Sequence, residues 1–192
     1  MDDRTMSVLE RLYAEDARQR DAGLPVEQRT RNLTRASGEF LMILAKAMRA
    51  TRVLEIGSSN GVSTIWFSLA MRETGGRVIG TEIIPQRAAE ANANLEAAGL
   101  GEFAQVHEGN AHDILGGIGE SIDIAFIDAE KQDYPAHFLS VFPLVHPGGM
   151  IVADNVISHD LSDYQSMVRQ HPDCETFTLP LDRGLELTLR NR

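Results

Sequence analysis

Residues 126 to 134 read FIDAEKQDY, an apolar run that ends in Asp128 and places Lys131 three positions later. Lysine is scarce in this chain, with Lys46 and Lys131 set against sixteen arginines. A second apolar run, IVADN, ends in Asp154 followed by the amide of Asn155. If the two runs are neighbouring parallel strands, their terminal carboxyl groups lie about 5 Å apart. Carboxylates that close repel, so either one binds a proton or a cation sits between them. Two carboxylates and an amide oxygen make a set of hard donors for a divalent cation, Mg²⁺ in first place and Ca²⁺ or Mn²⁺ as substitutes. No cluster with zinc-like spacing competes, because the six histidines are scattered and Cys174 stands alone. At the same rim Lys131 can pair with Asp128 or Asp133, or act as a base.

Two further apolar runs end in the same manner. VLEIG carries Glu55 and Gly57, and RVIGTE carries Glu82. The turn EIGSSNG has the spacing G-x-x-x-G between Gly57 and Gly61, ahead of a helix expected to begin near Ser63. A dinucleotide fingerprint reads G-x-G-x-x-G, so a nicotinamide or flavin site fits poorly. Glu82, at the end of the second strand, can accept hydrogen bonds from both hydroxyls of a ribose. Turn and acid together describe a nucleoside site without a pyrophosphate. His112 and His159 also follow strand ends, and on the residues alone they read as solvated or structural. Trp66 and Phe67 fall in helical pattern and belong to the core.

These residues need a scaffold that brings strand ends together. From residue 52 short β-type runs alternate with helical ones: RVLEIG, STIWFSLAMRET, RVIGTE, QRAAEANANLEAAG, AQVHEG, SIDIAFID, PAHFLSVFPLV and GMIVAD. Apolar strands joined by helices of this length imply a parallel sheet covered on both faces. ETFTLPL and LELTLR, separated only by DRG, suggest an antiparallel hairpin closing it. The expected fold is α/β: a Rossmann-like doubly wound sheet of about seven strands, mostly parallel, with an antiparallel C-terminal hairpin. One domain is expected over residues 1–192, with a helical segment at 1–48 and the α/β core at 49–192.

Net charge is -10. Residues 1–50 carry nine basic and eight acidic side chains, so the acidic excess lies in the remainder. A body of that charge repels phosphate backbones, which disfavours a nucleic-acid partner and points to a small molecule. The longest apolar runs are too short to cross a bilayer, so no membrane partner is expected. The first twenty residues lack a signal-peptide pattern, and the lone cysteine cannot form an internal disulfide. A cytoplasmic location is therefore expected.

Across roughly residues 31 to 158, the motifs VLEIGSSNGVST, GTEI, EGNAHDIL, FIDAEKQDY and GGMIVADN occur in order. On them the chain resembles the metal-dependent class I S-adenosylmethionine methyltransferases that include catechol O-methyltransferase and the caffeoyl-CoA O-methyltransferases. The resemblance implies S-adenosylmethionine as cofactor. Glu55, Gly57, Gly61 and Ser63 would border its methionine part, Glu82 its ribose, and Ile83, Ala111 and His112 its adenine. Asn32 and Leu33 match a segment that closes over the cofactor's carboxylate, and Asp128 borders both cofactor and metal. Asp128, Asp154 and Asn155 match the metal ligands, and Lys131 the general base. The implied reaction is methyl transfer to a hydroxyl of a small, catechol-like aromatic acceptor. A free phenol, with a pKa near 10, attacks poorly while protonated, so a cation and a base are both of use. Val62, Ala129 and Glu130 depart from bulkier residues of the family, and the segment after Asp160 is shorter than the family's. Tyr164, His159 and Asp182 are lining candidates there. A homodimer is expected by resemblance alone. A metal-independent small-molecule methyltransferase and a non-catalytic S-adenosylmethionine-binding module are the alternatives.

Overall fold

The computed structural model describes residues 2–117, 119 and 121–192, with Glu27 described in its backbone only. Helix α1 (Asp3–Asp21) starts where the Asp2 carboxylate accepts the Thr5 amide at 2.8 Å, satisfying one of the free donors of a first turn. Helix α2 (Arg35–Ala47) starts likewise on the Thr34 hydroxyl. Between them the expected helical segment is interrupted, and residues 29–34 carry no helix. Gly23 at φ +67° and Pro25 end the first helix, and α1 then holds the connection by its own side chains. Gln19 Oε1 accepts the Thr30 amide at 2.9 Å, and the Asn32 side chain donates to the Leu12 carbonyl at 3.1 Å. The loop is thereby pinned across the end of the sheet.

The sheet contains β1 (Arg52–Ile56), β2 (Arg77–Glu82), β3 (Ala104–Glu108), β4 (Ile122–Ile127), β5 (Val145–Asp154), β6 (Cys174–Leu179) and β7 (Leu185–Arg190). Their spatial order is β3-β2-β1-β4-β5-β7-β6. The first five are parallel, and β7 runs antiparallel to both β5 and β6. Helices α3 (Val62–Thr74), α4 (Pro85–Ala97), α5 (Ala111–Leu115), α6 (Tyr134–Val141) and α7 (Ser162–Gln170) complete the chain. The expected α/β class, strand number and terminal hairpin are all present. Helices α5 and α7 go beyond the expectation: the first is one turn long, and the second buries only Tyr164 and Val168.

Pleating sorts the strand residues onto two cores. Val53, Ile124, Phe126 and Val152 pack with α1 to α4, whereas Leu54, Ala125, Ile127, Ile151 and Ala153 pack with α5 to α7. This two-residue alternation decides which side chains beyond the strand ends share a face.

Candidate active site

β1 lies between β2 and β4, so strand order reverses at β1, and open sheets of this kind bind ligands at the carboxyl edge beside such a reversal. A cavity of about 490 Å³ opens there, of a size that suits a cofactor. A smaller recess shares Gly57 and Asp128 with it and runs between the glycine turn and residues 30–33.

On the donor side, Gly57 adopts φ +89°, and a Cβ there would lie 2.5 Å from the Asp128 carbonyl oxygen. Only glycine permits that contact between two strand ends. Glu82 is 6% exposed, and its carboxylate accepts the Ser59 amide at 2.8 Å and the Ile84 amide at 2.9 Å. Each oxygen keeps acceptor capacity for a sugar hydroxyl. Ile83, Ala111 and His112 line the same cavity. The His112 ring stacks on His137 at 5.2 Å between centroids, and burial followed by His112 lowers the His137 pKa.

Asn32, Leu33 and Ser63 line the smaller recess. Beside it, Oδ1 of Asn32 and both side-chain polar atoms of Asn60 are buried without a hydrogen-bond partner. Such orphaned groups are what the charged amino-acid end of S-adenosylmethionine would satisfy. Cavity, Glu82 and orphaned amides therefore fit that cofactor.

Two residues expected at the cofactor line neither space. Glu55 shares a face with Val53, so the pleat turns it beneath the glycine turn. There it is fully buried and accepts from the Ser58 hydroxyl at 2.6 Å and from the Thr64 hydroxyl, while burial pushes its carboxyl upward. Gly80, opposite Glu55 in β2, leaves room for this cluster: a Cβ there would lie 2.5 Å from Ser58 Oγ. Gly61 caps α3 and backs onto Ala91. Both support the turn from behind.

On the acceptor side, β4 and β5 are neighbours with Ile127 opposite Ala153. Continuing that register sets Asp128 opposite Asp154, on the face shared by Phe126 and Val152. Lys131 Nζ donates to Asp128 Oδ1 at 2.8 Å and to the Tyr134 hydroxyl at 2.7 Å. Tyr134 is wholly buried and donates its own proton to the Asp154 carbonyl at 3.1 Å. Burial, then the charges of Asp128 and Asp154, keep that phenol un-ionised. Asp154 is 5% exposed. Burial, then the Asp128 charge, push its carboxyl up to about 7, against the Asn155 amide and the charges of Lys131 and Arg183. Asn155 lines the cavity at φ +66°, with Asp154 behind it.

Lys131 thus pairs with Asp128 and its charge acts on the Asp154 carboxyl, which lines neither space; with the Asn155 amide, these side chains are oxygen donors of the type a hard divalent cation takes. The described residues hold no group of three His, Cys, Asp or Glu side chains placed for a metal. A metal here would rely on the amide and on oxygens from outside the chain.

His159 lines the cavity, whereas Tyr164 is buried in the core. The Asp182 carboxylate accepts from the Thr34 and Ser37 hydroxyls, which ties the β6–β7 turn to α2. Thr30, Arg31, Ser59 and Arg183 also line the cavity and went unread in the sequence. Ser59 could have been found from its place two positions beyond Gly57. Arg183 sits in the terminal hairpin and carries no local signal.

Sheet order and acidic crevice define a Rossmann-like nucleoside-binding class. The O-methyltransferase family model matches residues 4–190, and the chain belongs to the O-methyltransferase family. A catechol O-methyltransferase from Niastella koreensis is 40% identical over 141 residues, which is 71% of this chain and 62% of that protein. The alignment thus spans about three-fifths of the relative's length. The Bacillus cereus O-methyltransferase solved in complex with SAH superposes with a TM-score of 0.83 at 28% identity, covering 96% of this chain and 91% of that one. Cofactor-bound Rv0187 from MTB gives 0.84 at 32% identity, covering 100% and 91%. No described helix is long and apolar enough to cross a membrane.

Proposed function

We propose that the protein is an S-adenosylmethionine-dependent O-methyltransferase that methylates a hydroxyl of a small catechol-like aromatic, with a divalent cation held by Asp128, Asp154 and Asn155. The observation that carries this is the placement of Lys131 on Asp128 and Tyr134, at the rim of a cavity whose other wall is Glu82 and the glycine turn. The similarity to a catechol O-methyltransferase supports the acceptor class.

S-adenosylmethionine, when bound, supplies a sulfonium methyl group. Glu82 would hold the ribose, and the side-chain amides of Asn32 and Asn60 would meet the amino-acid end. Residues 30–33 cross over the glycine turn, where the Ser59 hydroxyl donates to the Thr30 carbonyl at 3.0 Å, and this strap excludes water from the donor. A divalent cation would supply positive charge that acidifies vicinal hydroxyls and holds them in register. Lys131 first releases its ammonium proton to solvent, and its neutral amine then takes the acceptor proton, with Tyr134 fixing where the nitrogen sits. Methyl transfer would be a displacement at the sulfonium carbon, and holding both reactants at adjacent strand ends would supply its orientation.

One observation favours a metal-independent form of the same reaction: Lys131 already neutralises Asp128, and Asp154 holds a proton up to about pH 7. Incubation with EDTA separates the two. Labelled methyl transfer to catechol should vanish on chelation and return with Mg²⁺; full activity without metal sinks the ligand assignment.

A further inference from the structure

The cavity is lined by six side chains of fixed positive charge: Arg20, Arg29, Arg31, Arg87, Lys131 and Arg183. Five are engaged. Arg20 pairs with Asp16 at 2.6 Å, Arg31 with Glu130 at 3.0 Å, and Lys131 with Asp128 at 2.8 Å. Arg29 donates to the Leu24 carbonyl at 2.5 Å and Arg87 to the Arg29 carbonyl at 3.2 Å. Among the described residues, the Arg183 guanidinium is the one in this set with no hydrogen bond or ion pair, and the residue is exposed.

Its backbone, by contrast, is fixed on two sides. The Arg183 carbonyl accepts the Ile157 amide at 2.9 Å and the Ser158 amide at 3.2 Å, and the Gly184 carbonyl accepts the Val156 amide at 3.1 Å. These donors follow directly on Asp154 and Asn155. On the other side Asp182, at φ +53°, binds the hydroxyls of Thr34 and Ser37. A hairpin tip that served only to turn the chain would not need both anchors. The anchors set a guanidinium without a hydrogen-bonded partner on the cavity that Asn155 and His159 also line, near enough to Asp154 for its charge to act on that carboxyl.

We propose that Arg183 is the specificity residue of the acceptor site, selecting vicinal-diol aromatics that bear a carboxylate on the ring or on a short side chain. The proposal rests on the function given above and names the acceptor class within it. A guanidinium offers a planar fork that matches a carboxylate with two parallel hydrogen bonds. The surrounding charge gives such a ligand one orientation. The diol is the end that Lys131 and a cation at Asp128, Asp154 and Asn155 would engage, which leaves the anionic end to Arg183. In a chain of net charge -10, a cation on the cavity wall without a hydrogen-bonded partner also offsets the general repulsion of an anionic acceptor.

The test compares 3,4-dihydroxybenzoate with its neutral amide as acceptors for the wild type, Arg183→Gln and Arg183→Lys, with S-adenosylmethionine and Mg²⁺. The wild type should prefer the carboxylate in kcat/KM, and Arg183→Gln should collapse the carboxylate-to-amide ratio about tenfold, through KM rather than kcat. Arg183→Lys should restore part of it. A ratio unchanged by Arg183→Gln, or a wild type that favours the amide, overturns the proposal while leaving the methyltransferase function standing. If the wild type methylates neither acceptor, that function fails first, and calorimetric binding of 3,4-dihydroxybenzoate with S-adenosylhomocysteine and Mg²⁺ decides the rest. Tighter binding by the wild type than by Arg183→Gln supports the carboxylate site; equal binding by both overturns it.

Discussion

Two aspartates stand at opposite edges of the same sheet. Asp123, near the start of β4, is buried enough for its carboxyl to be pushed up, yet its partners more than reverse that push. The Thr51 and Arg52 amides donate to it at 2.7 and 2.8 Å, and His146 lies 2.8 Å away, so its pKa falls below the ordinary value. Asp154, at the end of β5, is more deeply buried, faces Asp128, and receives one backbone amide, from Asn155 at 2.7 Å. Its carboxyl rises to about 7. The amino edge spends its acid on holding β1, β4 and β5 together. At the carboxyl edge Asp154 is left with one amide donor and no ion pair among the described residues, a perturbed acid of the kind that functional sites keep at the expense of stability.

The largest expected effect belongs to the carboxyl edge. Lys131→Ala should slow methyl transfer about 10²-fold or more while leaving the circular dichroism spectrum unchanged; undiminished turnover removes the base from the mechanism. Next comes Asp123→Ala, which strands the Thr51 and Arg52 amides. It should cost about 1–3 kcal/mol in denaturant unfolding without altering turnover per folded molecule. Asp154→Asn should do the reverse, abolishing activity while stabilising the EDTA-treated protein by about 0.5–2 kcal/mol at pH 8. The sign follows from linkage. The Asp154 pKa is raised on folding, so its favourable contribution is complete below the unfolded value of 3.8 and lost as pH rises through about 7. The gain should therefore shrink at pH 5, and equal gains at both pH values break the contrast between the edges.

The smallest effect is that of His146. Its pKa is raised, first by the Pro147 carbonyl and then, against partial burial, by Asp123. Its contribution is whole below the unfolded pKa of about 6.5 and lost as pH rises through the higher folded value. It is lost again in acid, as pH falls through the depressed Asp123 pKa. His146→Ala should thus lower the melting temperature slightly at pH 6 and not at pH 9, because a partly exposed pair contributes only about a few tenths of a kcal/mol.

Much of the carboxyl edge was legible because strand ends announce themselves. Apolar runs that stop at Glu82, Asp128 and Asp154 show where the sheet ends, and the parallel alternation brings those ends together. The faces were less legible. Glu55 reads as a site acid until the pleat is fixed by Val53 and Leu54 packing on opposite cores, which sends it under the turn. Interruptions were harder again. Residues 29–34 lose their helix to hydrogen bonds with α1, partners more than ten positions away that no local pattern encodes. α7 was missed because its inward residues, Tyr164 and Val168, are too few for a period to show. Arg183 gains its place only after β7 inserts between β5 and β6, a tertiary event that spacing does not report.

The close approach at Gly57 has a mechanical outcome. The Asp128 amide donates to the Ile56 carbonyl at 2.9 Å, so the glycine turn and the loop bearing Lys131 are fastened main chain to main chain. The spacing between the two walls of the cavity is thus gauged by rigid peptide units, and in the proposed reaction that spacing is what the methyl group would cross. Side chains around the cavity can therefore be exchanged without altering that spacing.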